Sequence, residues 1–433
     1  MANPLIRDWE VVRSWLPEGW EEAARRLGAF ERGRKIKTPE RLLMLLLGRF
    51  CGWSLRATAA HSGTSEAERL SDVAVLGRQR KANVWLEWLL AGLLVGSRIR
   101  LRKPDRLAHR RIRAVDATVI VDRTRAHRKW RIHYGYDLFD MRCSYLRLTG
   151  EEVGETLKHF PIQPGDLILG DRLYASLSGM WYVKQQGGDF ILRVRNKAFK
   201  YYPAAHSGEI NLLQRLRRMK PQQAREWTLR VQTRDQAPML VRVIAFRLPD
   251  QEAAKAIVRA EDEARKAGRA LDPETRELQR YTILVTSVMK EELGTSQILQ
   301  LYRARWQIEI AFKRLKSLMG IGKLPCRTSE SSSSWLLGKM LIALLVQRLI
   351  DEGRYASLSE MGLINEESDA SGIAWEGNIW REVQFAYGLL KHVIEWHMTL
   401  VDYLIHWKSM IDALGERIRR RRRQIQTLIV CLS

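Results

Sequence analysis

Three acidic side chains stand where carboxylates could act together. Asp116 lies in the apolar run AVDATVI, Asp171 follows the apolar run LILG, and Glu309 lies in the helical pattern LYRARWQIEIAFKRLKSLMG. Carboxylate oxygens are the ligands that Mg²⁺ prefers, with Mn²⁺ as a substitute. Two such ions side by side activate a water or hydroxyl and stabilise a leaving oxygen, which is the chemistry of phosphoryl transfer. Asp116, Asp171 and Glu309 are therefore candidate catalytic and metal-ligating residues.

Each acid also has a purely structural explanation. A carboxylate is costly to bury in a strand without a partner, so Asp116 could instead pair with a nearby arginine. Asp171 could cap a helix that begins near Leu173. Glu309 could belong to a surface stripe of ion pairs, because Arg305 precedes it by four residues. The three acids together, rather than any one of them, indicate a metal site.

Groups suited to a phosphate surround Glu309 in the sequence. Tyr302 and Arg305 precede it by seven and four residues, and Lys316 follows it by seven. These steps predict that all four side chains lie along one face of one helix. The two cations and the phenol could grip a nucleic-acid phosphate while Glu309 binds metal.

The charge of the chain points to the same kind of partner. Lysine and arginine number 73 against 49 aspartates and glutamates, which gives a net charge of +24. A surface this basic needs a polyanion, and nucleic acid is the usual one because neutralised phosphates release counterions. A ribosome-associated or membrane-surface protein is the alternative.

Cysteine usage and hydropathy bear on the compartment. Four cysteines with no CxxC pair give neither a zinc knuckle nor a disulfide framework, and they indicate a reducing environment. The N-terminal MANPLIRDWEVV lacks the apolar stretch of a signal peptide. The most apolar run, Trp335–Ile350, contains Lys339 and Arg348 and predicts a buried helix rather than a membrane span. We expect a cytoplasmic protein with no membrane partner, associated with the nucleoid if bacterial.

Alternating strands and helices must position the carboxylates. Apolar and β-branched runs predict strands, and helical patterns predict helices between them. The strands fall at 115–121, 130–138, 144–149, 167–169 and 190–194, and the helices at 152–159 and 175–185. Three strands, a helix, a strand, a helix and a strand is the order of an RNase H-like mixed sheet, in the α/β (α+β mixed) class. Asp116 and Asp171 are then expected on neighbouring strands.

Helical regions flank this core and a β-rich insertion interrupts it. The predicted boundaries are a helical DNA-binding domain over 1–105, an RNase H-like catalytic domain over 106–195 and 291–333, a β-rich insertion subdomain over 196–290, and a helical C-terminal region over 334–433. The insertion holds three strand patterns and one long charged helical stretch, 250–278.

Two basic segments lie in the helical regions. Ser54 and Ser71 are expected to cap short N-terminal helices, and the spacing resembles a helix-turn-helix before the basic run of Arg78, Arg80 and Lys81. DNA contact and a plain helical bundle are both open for this unit. At the other end, Arg417 and Arg419–Arg423 could contact phosphate or form a solvated helix end.

The helix with Glu309 resembles the motif Y-x2-R-x3-E-x6-K of insertion-sequence transposases of the YREK group, a cut-and-paste DDE type. VDAT around Asp116 resembles the first-acid block of that family, which commonly reads Asp-Gly-Thr where this chain has Ala117. GDRLYAS around Asp171 resembles the second-acid block, with Arg172 and Tyr174 in place. The resemblance covers roughly residues 40–350, and the long gap between Asp171 and Glu309 is where this family carries its β-rich insertion.

The resemblance implies a DNA transposase. The enzyme would hydrolyse DNA at the element's terminal inverted repeats and transfer the 3′-hydroxyl into target DNA, using Mg²⁺ at the three acids. Tyr302, Arg305 and Lys316 would hold the terminal phosphates, with Trp306 beside them. An aromatic of the insertion would stack on a flipped base. Trp227 is the candidate, and core packing is the alternative explanation for this side chain.

Two other functions compete with an active transposase. One is a catalytically inactive or domesticated relative that only binds DNA, although the presence of all three acids counts against it. The other is a different RNase H-like nuclease or resolvase, which the four-residue motif and the insertion disfavour. Because an element has two ends that must be cut together, we also expect a homodimer in the DNA complex.

Overall fold

The computed structural model describes residues 4–63, 70–94, 99–100, 103, 105–121, 128–194, 198–205, 208–233, 236–322, 324–326, 328–360, 370–371 and 379–395. The basic cluster at Arg417 and Arg419–Arg423 lies outside the described residues. The described helices are α1 (Pro4–Ser14), α2 (Trp20–Arg26), α3 (Pro39–Cys51), α4 (Leu55–Ser62), α5 (Asp72–Lys81), α6 (Asn83–Leu93), α7 (Leu177–Gln185), α8 (Leu212–Arg217), α9 (Asp250–Lys266), α10 (Pro273–Leu278), α11 (Thr295–Ala304), α12 (Gln307–Ser317), α13 (Ser329–Glu360) and α14 (Ile379–Glu395). The described strands are β1 (Ile99–Arg100), β2 (Arg111–Val121), β3 (Lys129–Asp137), β4 (Arg142–Gly150), β5 (Asp166–Gly170), β6 (Asp189–Arg193), β7 (Lys200–Pro203), β8 (Ala224–Thr233), β9 (Gln236–Arg247), β10 (Tyr281–Thr286) and β11 (Ala370–Ser371).

The N-terminal helices begin where the sequence predicts. The hydroxyl of Ser54 accepts a hydrogen bond from the backbone N–H of Ala57 at 3.0 Å, and that of Ser71 accepts one from Ala74 at 3.2 Å. Each bond satisfies an N–H group that the first helical turn leaves unpaired. Both predicted caps are confirmed.

A mixed sheet forms the centre of the fold. Nine strands of the described chain lie in the order β4-β3-β2-β5-β6-β10-β9-β8-β7. Strands β2, β3 and β4 are antiparallel neighbours, whereas β5 pairs in parallel with β2, and β6 in parallel with β5. This order, with α7 between β5 and β6, confirms the RNase H-like mixed fold class.

A buried charge cluster fixes how β5 lies against β2. Asp166, at the start of β5, accepts hydrogen bonds from Arg111 at 2.6 and 2.9 Å and from Arg113 at 2.5 Å. A buried carboxylate requires such partners, because leaving it unpaired costs several kcal/mol, roughly 3–5. The resulting register places Val115 opposite Gly170. Asp116 and Asp171 are the next residues on the two strands.

The inserted strands extend the same sheet. Strand β10 is antiparallel to both β6 and β9, and β8 and β7 continue beyond β9. The long helical stretch predicted over 250–278 is two helices, because the chain turns at Gly268 (φ +66°) and Asp272 caps a new helix that begins with Pro273. The helix predicted over 152–159 is also wrong. Only a 3-10 turn, Leu157–His159, forms there.

Helix α13 lies between the N-terminal helices and the sheet. It packs against α3, α5, α6, α14 and β4. Gln79 of α5 is fully buried and donates a 2.9 Å hydrogen bond to the hydroxyl of Ser334. Gly338 lets α13 approach α3, because a Cβ at this position would lie 2.3 Å from the ring of Phe50. The N-terminal helices and one face of the sheet therefore share a continuous apolar core.

The apolar segment of α13 is a core helix in this fold. Residues Ser329–Tyr355 have the length and composition of a membrane span, but 67% of the most apolar window is buried inside the protein. The buried helix predicted for Trp335–Ile350 is confirmed.

Candidate active site

Asp116 lies within β2 and is mostly buried, with its side chain 17% exposed. Its Oδ1 accepts a 2.8 Å hydrogen bond from the backbone N–H of Ala117. Burial raises the pKa of Asp116 to about 6, and the nearby charge of Asp171 contributes in the same direction. The positive charge around this carboxylate is therefore too small to offset its burial.

Asp171 follows β5 directly and begins a tight turn. Its Oδ1 accepts a 2.7 Å hydrogen bond from the backbone N–H of Leu173, and its carbonyl accepts one from Tyr174. The cap of the next helix, α7, is Ser176. The hydrogen bond to Leu173 therefore shapes the loop that holds Asp171 at the end of its strand, rather than starting a helix.

The guanidinium of Arg305 links Asp116 to the third predicted acid, Glu309. Arg305 Nη1 lies 3.4 Å from Asp116 Oδ2, and Arg305 Nη2 donates a 2.6 Å hydrogen bond to Glu309 Oε1. Helix α12 brings Glu309 to this point by packing on β2 and β3, where Phe312 and Tyr134 have ring centroids 5.5 Å apart. Arg305 is 14% exposed and Glu309 46%, so the pair lies at the mouth of the site.

The motif around Glu309 does not follow one continuous helix, which corrects the expectation from its spacing. Tyr302 belongs to α11 and Glu309 to α12, and Arg305 and Trp306 form the turn between them. Through this turn the backbone N–H groups bond to carbonyls three residues back instead of four. The local sequence contains neither proline nor glycine, so it gives no signal for the break.

The other predicted DNA-binding residues lie around this turn or near Asp171. The Arg305 guanidinium lies 5.8 Å from the centre of the Tyr302 ring, and burial raises the pKa of Tyr302. Trp306 is 60% exposed. Lys316 and Arg172 are exposed, and neither makes an ion pair with another residue that the structure describes.

Trp227 is placed differently. It lies on β8 opposite Val243 of β9 and packs, partly buried, against the second apolar core of the sheet. Its indole lines neither of the two cavities beside the acids. The structure does not bring Trp227 to the acids, and its role in base stacking stays a prediction.

Two functional candidates were missed by sequence reasoning. Arg193 is the last residue of β6, and Asp171 directly follows the neighbouring strand β5. The Arg193 guanidinium interacts electrostatically with Arg172, Tyr302, Arg305 and Asp171. Its position at the carboxyl end of a strand next to Asp171 was the available signal.

The second is Glu155, whose charge acts on Asp116 and which pairs with Arg131 at 3.4 Å. The sequence predicts a helix over 152–159, and that incorrect prediction gives no reason to expect Glu155 near Asp116.

A junction of charged groups ties the insertion to α11. Glu226 of β8 accepts hydrogen bonds from Thr295, at the start of α11, and from Arg242 of β9 at 2.9 Å. Arg242 also donates to the backbone carbonyls of Val288 and Leu293 at 2.8 and 2.9 Å. The helix that leads to Tyr302 and Arg305 therefore begins on the inserted strands.

The sequence has known relatives. Residues 147–345 match the family model described as the transposase DDE domain. The chain is 30% identical over 352 residues to the transposase of insertion sequence element IS421 of Escherichia coli, covering 79% of this chain and 94% of that protein. It is 25% identical over 379 residues to the transposase of IS231C of Bacillus thuringiensis subsp. berliner, with 77% of each chain covered. The chain therefore belongs to the DDE transposases of insertion sequences, enzymes that cleave DNA.

Proposed function

We propose that this transposase cuts DNA at the ends of its element and transfers the 3′-hydroxyl into target DNA, with Asp116, Asp171 and Glu309 holding two divalent ions. The observation that carries the proposal is the contact of Arg305 with both Asp116 and Glu309. It brings acids from distant parts of the sequence to one point, and the register of β2 and β5 adds Asp171.

The donor set suits a divalent cation, which enzymes of this family generally use. Carboxylate oxygens are hard ligands. Burial and the nearby charge of Asp171 raise the pKa of Asp116, so a cation bound there would stabilise the ionised form of Asp116. Within the described residues, no three His, Cys, Asp or Glu side chains lie close enough to hold one ion as they stand. Arg305 occupies the space between two of the acids, so it must release at least one of them when an ion binds.

The ions would supply activation of the attacking hydroxyl and stabilisation of the leaving oxygen. Mg²⁺ is the expected ion and Mn²⁺ its substitute. The chain's own cations have a different task, which is to position the scissile phosphate. The guanidinium of Arg305, once free of Glu309, can bind a phosphate through two parallel hydrogen bonds. Exposed Lys316 extends this grip along α12.

DNA recognition would involve more of the molecule. The N-terminal helices with Arg78, Arg80 and Lys81 are candidates for binding the terminal inverted repeats. Trp306 is exposed beside Arg305 and can contact an unstacked base at the end of the DNA. Because two ends must be processed together, we propose that the active form on DNA is a homodimer.

Cleavage of the element's own terminal repeats tests the proposal. The wild-type chain should nick a duplex carrying the repeat in Mg²⁺ and not in EDTA. Asp116→Asn, Asp171→Asn and Glu309→Gln should each abolish nicking while binding the same duplex in EDTA with unchanged affinity. Full activity of any of the three variants would refute the assignment of that acid. A wild-type chain that binds the repeat but never cuts it would instead favour an inactive DNA-binding relative.

A further inference from the structure

A groove of about 590 Å³ runs from Asp171 to the inserted helices α9 and α10. One wall consists of the loop after β5 and the end of β6, which carry Arg172 and Arg193. The other wall is formed by Arg269, in the turn after α9, together with Thr275 of α10. The insertion therefore encloses one side of the predicted catalytic acid.

The three arginines of this groove have no carboxylate partner within ion-pair distance in the part of the chain that the structure describes. Arg193 is half-buried, and burial lowers its pKa. The neighbouring guanidiniums of Arg172 and Arg305 lower that pKa further. Cations that repel one another in a concave site become stable when an anion enters between them.

A second cavity lies on the other side of Arg193. It has a volume of about 280 Å³ and is lined by Tyr302, Arg303, Arg305 and Trp306 as well as Arg193. Arg193 lines both cavities, but Thr282 lines this one whereas Tyr281 and Ile283 line the groove, so the two lie on opposite faces of β10. Arginines therefore lie on both sides of the end of β6, next to Asp171.

We propose that Arg172, Arg193 and Arg269 bind successive phosphates of the DNA strand that leaves the active site on the side of Asp171. This proposal rests on the proposed function, because it takes DNA to be the substrate at the acids. Helices α9 and α10 then form one wall of the DNA channel, and the insertion positions the substrate as well as supporting α11.

Acidic side chains limit where the strand can run. Glu263 of α9 lines the groove and Glu252 of the same helix lines the second cavity, and each would repel a phosphate. The strand must therefore pass on the side of Arg269, at the turn that Gly268 allows with its φ of +66°. Contacts of this kind read the DNA backbone rather than its sequence.

Arg269 gives a clean test because it is exposed and its loss should not disturb folding. Binding of the full-length chain would be measured by fluorescence anisotropy in EDTA over a range of salt concentrations. The probes are a duplex carrying the element's terminal repeat and a scrambled duplex of equal length. The matched control is Arg265→Ala, which removes an arginine of α9 that is 79% exposed and pairs with Asp262.

We expect Arg269→Ala to weaken binding of both duplexes about fivefold and to lower the slope of log affinity against log salt by about one. Arg269→Lys should retain most of that slope. Equal affinities and slopes for Arg269→Ala and Arg265→Ala would overturn the proposal. Because the readout needs no cleavage, a wild-type chain that fails to cut would refute the proposed function without affecting this comparison.

Discussion

Arg305 and Asp116 stand 189 residues apart in the sequence, yet their side chains meet at 3.4 Å. The same guanidinium also holds Glu309. A single positive charge thus occupies the place where the proposed function needs two divalent ions. Arg305 therefore links two of the proposed metal-binding acids, and we expect the substrate phosphate to replace them as the partner of its guanidinium.

The first prediction concerns this exchange. Arg305→Gln removes the cation that competes for the acids, so Mg²⁺ should bind about fivefold more tightly in the absence of DNA, as expected for loss of an ion pair worth about 1 kcal/mol. Cleavage should nevertheless fall by orders of magnitude, because the phosphate loses its bidentate partner. Calorimetric titration with Mg²⁺ and single-turnover cleavage measure the two effects.

Arg348→Gln is the control for that variant. It breaks the Arg348–Glu352 pair of the same spacing on α13, 3.3 Å long, and should change neither quantity. Weaker Mg²⁺ binding by Arg305→Gln would contradict the exchange.

Lys316 should contact phosphate rather than bases, since it lies on the same helix as Glu309 and is exposed. Lys316→Ala should weaken binding about equally for repeat and scrambled duplexes and lower the salt slope by about one. Lys313→Ala, an exposed lysine one turn earlier that lies 5.9 Å from the Trp380 ring, is the control. A change in sequence preference would argue for base contact instead.

The junction at Glu226 should make stability depend on pH. Burial acts to raise the pKa of Glu226, but hydrogen bonds from Thr295 and Arg242 outweigh it and lower the pKa to about 2 from an ordinary value of 4.5. A lowered pKa stabilises the fold above the ordinary value, and this contribution is lost as pH falls toward about 2. Glu226→Gln should therefore lower the free energy of unfolding at pH 7 by an amount on the order of 2 kcal/mol, and the melting temperature should fall with it.

The difference between wild type and Glu226→Gln should shrink between pH 4.5 and about 2. Melting curves at several pH values measure it, with Glu291→Gln as an exposed control. A difference that stays constant down to pH 3 would show that the charge of Glu226 is not what stabilises the junction.

Cutting should require two protein chains on paired DNA ends. Uncoordinated cleavage at one end would leave a broken chromosome without a mobile product. Two bodies of charge +24 repel each other until phosphates neutralise them, so the free chain is expected to be a monomer. Sedimentation with and without end DNA, together with cleavage rates at varied protein concentration, measures this. Efficient cutting by a complex of one chain and one end would disprove it.

The sequence predicted the central strands well because their apolar, β-branched runs have few alternatives. It also singled out Asp116 and Asp171, since carboxylates in or directly after apolar strands are unusual. Glu309 stood out through its spacing from Tyr302 and Arg305 instead. The one signal for Arg193 was its position at the carboxyl end of a predicted strand, and a single arginine there has no periodic pattern that would distinguish it. The groove at Arg269 depends on how the inserted helices fold back, which local patterns do not encode.

The sequence did not predict the turn at Arg305 and Trp306, for a different reason. Both residues favour helices and both have helical dihedral angles, so propensity predicts continuity. Contacts made elsewhere in the fold decide the break, since Arg305 reaches across to Asp116 of β2. Spacing alone therefore indicated Tyr302, Arg305 and Glu309, which the fold places close together, and misjudged the backbone that carries them.

Helix α13 joins the N-terminal helices and the sheet in one packed core, and this packing fixes the distance between them. If the N-terminal helices bind the terminal repeat, as proposed, the distance from the bound sequence to the cut follows from the packing of these helices on the core that holds β2 and β5. Repacking Gly338 against Phe50 would then shift the cleavage position without changing any residue at the acids.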